Sequence, residues 1–216
     1  MSAKRDSLVD ALMKSHGRTY SGELGIDLSK NTPSPLFRWL CASILMSARI
    51  SADKAVSAAQ GLADAGWTTA PKLADSTWRE RVDVLNRSGY ARFDESTASM
   101  LGDMVERLMD EYDGDLRSLR RRADKDPAEM RKHLKAFKGL GDVGVDIFFR
   151  EAQIAWEELY PFADRKARSA AKELGLPDRG DRLAKLVERD RFQTLVAALV
   201  RADLAKDLDR IEKRAA

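Results

Sequence analysis

The stretch that decides the fold is Leu134-Lys135-Ala136-Phe137-Lys138-Gly139-Leu140-Gly141-Asp142-Val143-Gly144-Val145-Asp146. An apolar stripe of helical spacing leads into it, and Asp142 has the character of a helix-start residue. The glycines between the two helical patterns allow a tight turn with no side chain above it, and Leu140 is predicted to anchor that turn in the core. The stretch therefore predicts a helix, a short hairpin and a second helix.

The same hairpin is a candidate anion site. Backbone amides in the turn and in the first turn of the next helix are expected to point outward, and such a helix start attracts anions. We expect it to hold one or two phosphates of a nucleic-acid backbone without reading the sequence. An ordinary corner between two helices is the alternative. The candidate phosphate-binding residues are Lys135, Lys138, Gly139, Gly141, Val143 and Gly144.

Helical patterns cover the rest of the chain, and the fold class is predicted to be all-α. The run from Leu36 to Met46 is apolar on nearly all sides, which is typical of a buried helix. Thr77 with Glu80 three residues later is a capping box, and Asp126 followed by Pro127 is a second helix start. Further helices are predicted from Asp142 to about Tyr160, from a cap at Asp164 to Gly175, over Leu183–Glu188 and over Phe192–Leu208.

Composition excludes several classes of protein. With 44% apolar and 34% charged residues, the 216-residue chain is expected to fold. It contains no apolar run of membrane-spanning length and no signal-peptide pattern, so a cytoplasmic location without membrane association is the expectation. Cys41 is the single cysteine, and the only histidines are His16 and His133. No disulfide framework, four-cysteine iron–sulfur cluster or Cys/His zinc site is therefore expected. We also expect no other metal site and no cofactor.

The charge balance is nearly neutral. Lys plus Arg total 38 and Asp plus Glu total 35, which gives a formal net charge of +3. Such a total does not indicate nucleic-acid binding, so local patches matter more. A solvated helix face is the alternative explanation for the densest patch, which contains Arg117, Arg120, Arg121, Arg122 and Lys125.

Phe137-Lys138-Gly139-Leu140-Gly141 resembles the helix–hairpin–helix of the endonuclease III superfamily of DNA glycosylases. That family has an aspartate about two dozen residues later, and Asp164 stands 25 residues after Gly139. The segment 35–49 resembles the family's early buried helix, which typically ends in Ser-Ala-Gln. The segment 87–90 resembles the loop with a wedge residue. The similarity extends over roughly residues 34–175.

The resemblance implies two helical lobes with a cleft between them. Residues 31–155 would form a central lobe that ends in the helix–hairpin–helix (127–155). Residues 1–30 and 156–216 would form the second lobe, with Asp164. The implied function is that of a DNA glycosylase in base-excision repair, and we expect the protein to be a monomer. Such an enzyme flips a damaged base out of double-stranded DNA and hydrolyses its N-glycosidic bond.

Three residues receive roles from this comparison. Asp164 is the candidate catalytic residue, because a carboxylate stabilises the developing sugar cation or activates water. A pure N-cap role is the alternative. Tyr90 and Arg49 are candidates for the wedge and for the opposite side of the lesion. Their alternatives are a core aromatic residue and a surface arginine.

The sequence also departs from the family pattern. Bifunctional members have a lysine at the position of Val143, the usual proline before the first glycine is Lys138, and the four C-terminal cysteines are missing. A monofunctional glycosylase without an iron–sulfur cluster is therefore expected. Two alternatives stay open. One is a non-catalytic helix–hairpin–helix DNA-binding protein, and the other is a glycosylase with abasic-site lyase activity that uses Lys138 or Lys166.

Overall fold

The computed structural model of the protein describes residues 2–215, and the all-α prediction is confirmed over this range, which contains no strand. Short 3-10 turns link several of the helices. The α-helices are α1 (Ser2–His16), α2 (Tyr20–Glu23), α3 (Pro33–Ser47), α4 (Ala52–Asp64), α5 (Ala70–Ala74), α6 (Trp78–Arg87), α7 (Asp94–Tyr112), α8 (Leu116–Arg122), α9 (Pro127–Lys135), α10 (Asp142–Ala152), α11 (Arg165–Glu173), α12 (Gly180–Leu183), α13 (Phe192–Leu204) and α14 (Leu208–Ala215).

The chain divides into two compact units. One consists of residues 24–148 and the other of residues 1–23 with 149–216, of which residues 1 and 216 lie outside the described range. The division at 148/149 falls inside α10. The first unit is therefore a continuous segment, whereas the second is built from both ends of the sequence.

Local capping signals explain where several helices begin. The Thr77 side chain accepts a hydrogen bond from the Glu80 amide while the Glu80 carboxylate accepts one from the Thr77 amide, so the predicted capping box at α6 is confirmed. Asp126 caps α9, and Pro127 occupies its first position. Asp164 caps α11 through the amides of the second and third helical residues. These starts fix the α9 and α11 boundaries on which the candidate site depends.

Three predicted helices are shorter than expected. The helix predicted from Asp142 to about Tyr160 ends at Ala152, where the chain turns and buries Trp156. The segment 183–188 contains only the end of α12 and a 3-10 turn. The helix predicted over 192–208 is interrupted, because Lys206 adopts a left-handed φ of 55° and the Asp207 amide bonds back to the carbonyl of Ala202.

The continuous unit has its core around α3. Leu36, Phe37 and Leu40 are buried, and the Trp39 indole donates a hydrogen bond to the Phe148 carbonyl at 3.1 Å. Fixing a buried indole in this way satisfies its N–H group and joins α3 to α10 within the unit. These aromatic side chains belong to the core.

The second unit has its own core, in which α1 and α11 pack against α13. Its buried members include Leu8 and Leu12 of α1, Ala167 of α11 and Leu199 of α13. The alanine-rich face of α11 permits close approach of α13. This packing fixes the start of α11 and therefore the backbone around Asp164.

Candidate functional site

The hairpin between α9 and α10 has a buried anchor and an exposed rim. Phe137 and Leu140 are buried, as the sequence predicted for Leu140, while Gly141 is exposed. Gly139 has a φ of +86°, and a Cβ built there would lie 2.8 Å from Sδ of Met100. Glycine is therefore required at position 139 both for its backbone conformation and for the close approach of Met100.

The start of α10 presents backbone donors to the outside. A Cβ added at Gly141 would meet no atom within 4 Å, so the space in front of this residue is open. The Gly141 carbonyl accepts the first bond of α10, from the amide of Val145 at 3.0 Å. Among the hydrogen bonds of residues 2–215, none has the amide of Gly141, Asp142 or Val143 as its donor. This is the donor arrangement that binds an anion.

Gly144 has a different role from Gly141. Its buried position is tightly packed, because an added Cβ would lie 2.7 Å from Cδ1 of Leu140. Ser47 of α3 supports the turn, because its hydroxyl donates a hydrogen bond to the Gly139 carbonyl at 3.3 Å. Gly144 therefore allows the hairpin to close over its leucine anchor.

Acidic residues partner both lysines of the hairpin, which the sequence did not predict. Nζ of Lys135 lies 2.8 Å from Oδ1 of Asp142, and Nζ of Lys138 lies 2.6 Å from Oδ2 of Asp103. The hydrogen bond from Lys135 lowers the pKa of Asp142 below its usual value. Exposed pairs of this kind are weak and exchange readily, so a phosphate can replace the carboxylate as the partner of each lysine.

Asp164 is placed at the start of α11, and both of its carboxylate oxygens are occupied. Oδ1 accepts hydrogen bonds from the amides of Lys166 at 2.8 Å and Ala167 at 3.1 Å. Oδ2 lies 2.6 Å from Nε of Arg150. The two side chains are only 3% and 6% exposed, respectively, so this is a buried ion pair. The N-cap role of Asp164 is confirmed, and Arg150 is a partner that sequence reasoning missed.

The two wedge candidates differ in their surroundings. Tyr90 is fully buried, and its hydroxyl donates to the Leu45 carbonyl at 2.8 Å. A ring fixed in the core in this way is not available to enter a base stack, so the wedge prediction is wrong for Tyr90. Its alternative as a core aromatic is correct. Arg49 is exposed just beyond the end of α3, as a lesion-side role requires.

The positions that concern lyase chemistry are all at the surface. Val143 is 62% exposed in the first turn of α10. Lys138 is paired with Asp103, and Nζ of Lys166 lies 2.8 Å from Oδ2 of Asp203 on α13. Both candidate lyase lysines are therefore paired with carboxylates in this structure.

Several arginines of the basic run on α8 already interact with neighbouring side chains of the protein. Arg117 pairs with Asp115 at 2.8 Å, and the Arg122 guanidinium lies 5.0 Å from the centre of the Tyr112 ring. Arg121 donates to the Ser118 hydroxyl. These contacts agree with the solvated-face explanation of the run.

A fully buried carboxylate next to Arg150 was also missed. Glu151 accepts hydrogen bonds from the amides of Tyr20 and Ser21, each at 2.8 Å, and so ties α2 to the end of α10. Burial raises its pKa above the usual value despite these bonds. The sequence did contain one signal for this site. Arg150 and Glu151 are neighbouring charged residues that directly follow Phe148 and Phe149 in a predicted helix.

Residues 2–215 offer neither a cluster of metal ligands nor a reactive thiol. No group of three or more His, Cys, Asp or Glu side chains in residues 2–215 is placed to hold a metal ion. The thiol of Cys41 is buried, which raises its pKa well above normal and makes it a poor nucleophile. No described helix is long and apolar enough to cross a membrane. No family model, curated protein or solved structure matches the chain.

Proposed function

We propose that the protein is a DNA glycosylase of the helix–hairpin–helix type. It would bind double-stranded DNA as a monomer and hydrolyse the N-glycosidic bond of a damaged base in base-excision repair. The observation that carries the proposal is the hairpin 139–144, where open space at Gly141 adjoins amides without acceptors at the start of α10. The position of Asp164 at a helix start, 25 residues after Gly139, adds the carboxylate that this chemistry needs.

The binding step uses the backbone more than side chains. A phosphate at the start of α10 would accept hydrogen bonds from the amides of Gly141, Asp142 and Val143. Lys135 and Lys138 would exchange their carboxylate partners for phosphates and release counterions from DNA. Binding would therefore depend on salt and hardly on sequence.

The chemical step is the addition of water across the bond between the sugar and the base. The C1′–N bond breaks as positive charge develops on the sugar, water forms the new C1′–O bond, and the base leaves with a proton. Asp164 would stabilise the developing cation or accept the proton from water. Because Val143 has no amine, no Schiff base forms at that position and the product is an intact abasic site.

The test is single-turnover base release from a panel of duplexes, each with a different damaged base. Products are separated with and without hot alkali to distinguish base loss from strand cleavage. We expect alkali-dependent cleavage of at least one duplex by the wild type. Asp164→Asn should reduce the rate by about two to four powers of ten, the scale of a central catalytic group.

Asp164→Asn also leaves Arg150 buried without its counter-ion, which is expected to lower the free energy of unfolding by about 3–5 kcal/mol. The matched control is the double variant Arg150→Gln with Asp164→Asn, which removes both charges together. If this double variant is folded and releases base at the wild-type rate, the catalytic assignment of Asp164 is wrong.

A non-catalytic DNA-binding protein is the second candidate, and the buried Arg150–Asp164 pair favours it. Both oxygens of Asp164 are occupied, so its carboxylate has a complete structural role without any substrate. The panel separates the candidates. Salt-sensitive binding to duplex DNA without release of any base supports the second, and trapping of the wild type by borohydride on abasic DNA supports a lyase that uses Lys138 or Lys166.

A further inference from the structure

Two side chains from the end of α10 hold the segment that leads to Asp164. Nε of Arg150 lies 2.6 Å from Oδ2 of Asp164. Gln153, which follows the last residue of α10, donates from Nε2 to the Phe162 carbonyl at 2.9 Å. Its Oε1 accepts from the Phe162 amide, also at 2.9 Å. Arg150, Gln153 and Asp164 are all buried. We call Arg150 and Gln153 the α10 clamp.

The clamp is internally connected. Nε2 of Gln153 also donates to the Arg150 carbonyl at 2.7 Å, so the glutamine braces the backbone of the arginine. The amide and carbonyl of Phe162 are both fixed two residues before the carboxylate. Asp164 is consequently held from both sides, by the start of α11 and by the end of α10.

Capping alone does not require this arrangement. Oδ1 of Asp164 already accepts both helix amides, so the cap is complete without Oδ2. Oδ2 is the oxygen left for chemistry, and Arg150 is its partner. A buried ion pair stabilises a fold no better than well-packed apolar side chains do, because desolvation offsets the attraction.

We propose that Arg150 and Gln153 are positioning residues for Asp164, an inference that rests on the proposed glycosylase function. The guanidinium is the buried counter-ion of the carboxylate and fixes the direction of Oδ2. The sugar cation competes with Arg150 for Oδ2 as the glycosidic bond breaks. Gln153 keeps the segment before Asp164 from moving while this exchange takes place.

The test compares Arg150→Gln, Arg150→Lys and wild type in full-length protein. Single-turnover base release is measured on a duplex that the wild type processes, and affinity is measured with the same duplex bearing an uncleavable analogue of that nucleotide. Arg150→Gln should release base about 10- to 100-fold more slowly, the scale of a small misplacement of a reacting group. Affinity should change less than about threefold, because the proposed phosphate contacts belong to the hairpin.

Arg150→Lys separates positioning from simple stability. It restores the positive charge, so we expect its rate to recover most of the loss seen in Arg150→Gln, although a lysine has no planar fork. Equal rates in Arg150→Gln and wild type overturn the inference. An equal loss in both variants, with a parallel loss of affinity, also overturns it, because that result indicates general damage to the fold.

Gln153→Met provides a second variant of similar volume if Arg150→Gln does not fold. It removes the bonds to Phe162 and should slow base release while leaving affinity unchanged. A wild-type rate in folded Gln153→Met overturns the role of the glutamine. Failure of the proposed function is distinguishable, because the wild type itself would then release no base from any duplex in the panel, and the inference would fall with it.

Discussion

Substitutions at the two hairpin glycines should separate DNA binding from folding. Gly141 faces open space, because an added Cβ meets no atom within 4 Å, so we expect Gly141→Val to place its methyl groups in front of the amides that begin α10. Gly139→Val instead forces a β-branched residue into a φ of +86° and against Met100. The first variant is expected to lose affinity and the second to lose stability.

The magnitudes follow from these surroundings. Gly141→Val replaces a tolerated N-cap residue by a poor one, which should lower the free energy of unfolding by about 1 kcal/mol. Loss of one amide–phosphate hydrogen bond costs about 1.5–3 kcal/mol, or roughly 10- to 150-fold in affinity. For Gly139→Val, the left-handed backbone costs about 1–2 kcal/mol and the overlap with Met100 about 1–3 kcal/mol.

Fluorescence anisotropy with a labelled duplex measures the affinity, and urea unfolding measures stability. Titrations at several salt concentrations should show the same dependence of affinity on salt for Gly141→Val and wild type, because no cation is removed. Ala136→Val, at the exposed residue that directly follows α9, adds similar bulk away from the amides and serves as the control. Wild-type affinity of folded Gly141→Val at matched salt would refute the hairpin as a phosphate site.

Three further predictions test single contacts. Asp142→Asn removes the carboxylate that competes with phosphate for Lys135 and that lies beside the open amides, so DNA affinity should rise; an unchanged affinity in anisotropy titrations at matched salt would contradict this. Val143→Lys changes an exposed side chain and should fold normally, and it should give borohydride-trapped adducts with abasic DNA that wild type does not give. The raised pKa of Glu151 means that its contribution to stability is largest at acid pH and is lost as pH rises through that pKa. The stability of wild type relative to Glu151→Gln should therefore fall in urea unfolding as the pH rises above the usual pKa of a glutamate, about 4.3. A rise would show that the amides of Tyr20 and Ser21 favour the anion.

Interactions between residues close in sequence were predictable. The caps at Thr77, Asp126 and Asp164 each involve partners within three residues, so the sequence alone contains both members of each contact. The burial of Leu140 was predictable for the same reason, because it is the only apolar side chain between the two glycines of the turn.

Interactions between distant residues were not predictable. Lys138 and Asp103 are 35 residues apart, and nothing in either local sequence indicates that they meet. Arg150 looked like any charged residue in a helix, although it is buried against Asp164. The sequence around Tyr90 and Gly89 does not indicate whether the tyrosine ring faces solvent or the core. The Leu45 carbonyl that accepts its hydrogen bond in the core lies 45 residues away.

The construction of one unit from both ends of the chain has a consequence for synthesis on the ribosome. Helix α1 packs against α13, and 175 residues lie between His16 and Phe192. At about 5–20 residues per second, α1 waits roughly 10–35 s for that partner to be translated. Leu8 and Leu12 lack their final cover throughout this interval, while residues 24–148 emerge with every element of their own unit. The nascent chain should therefore be most vulnerable to proteolysis and chaperone capture at α1.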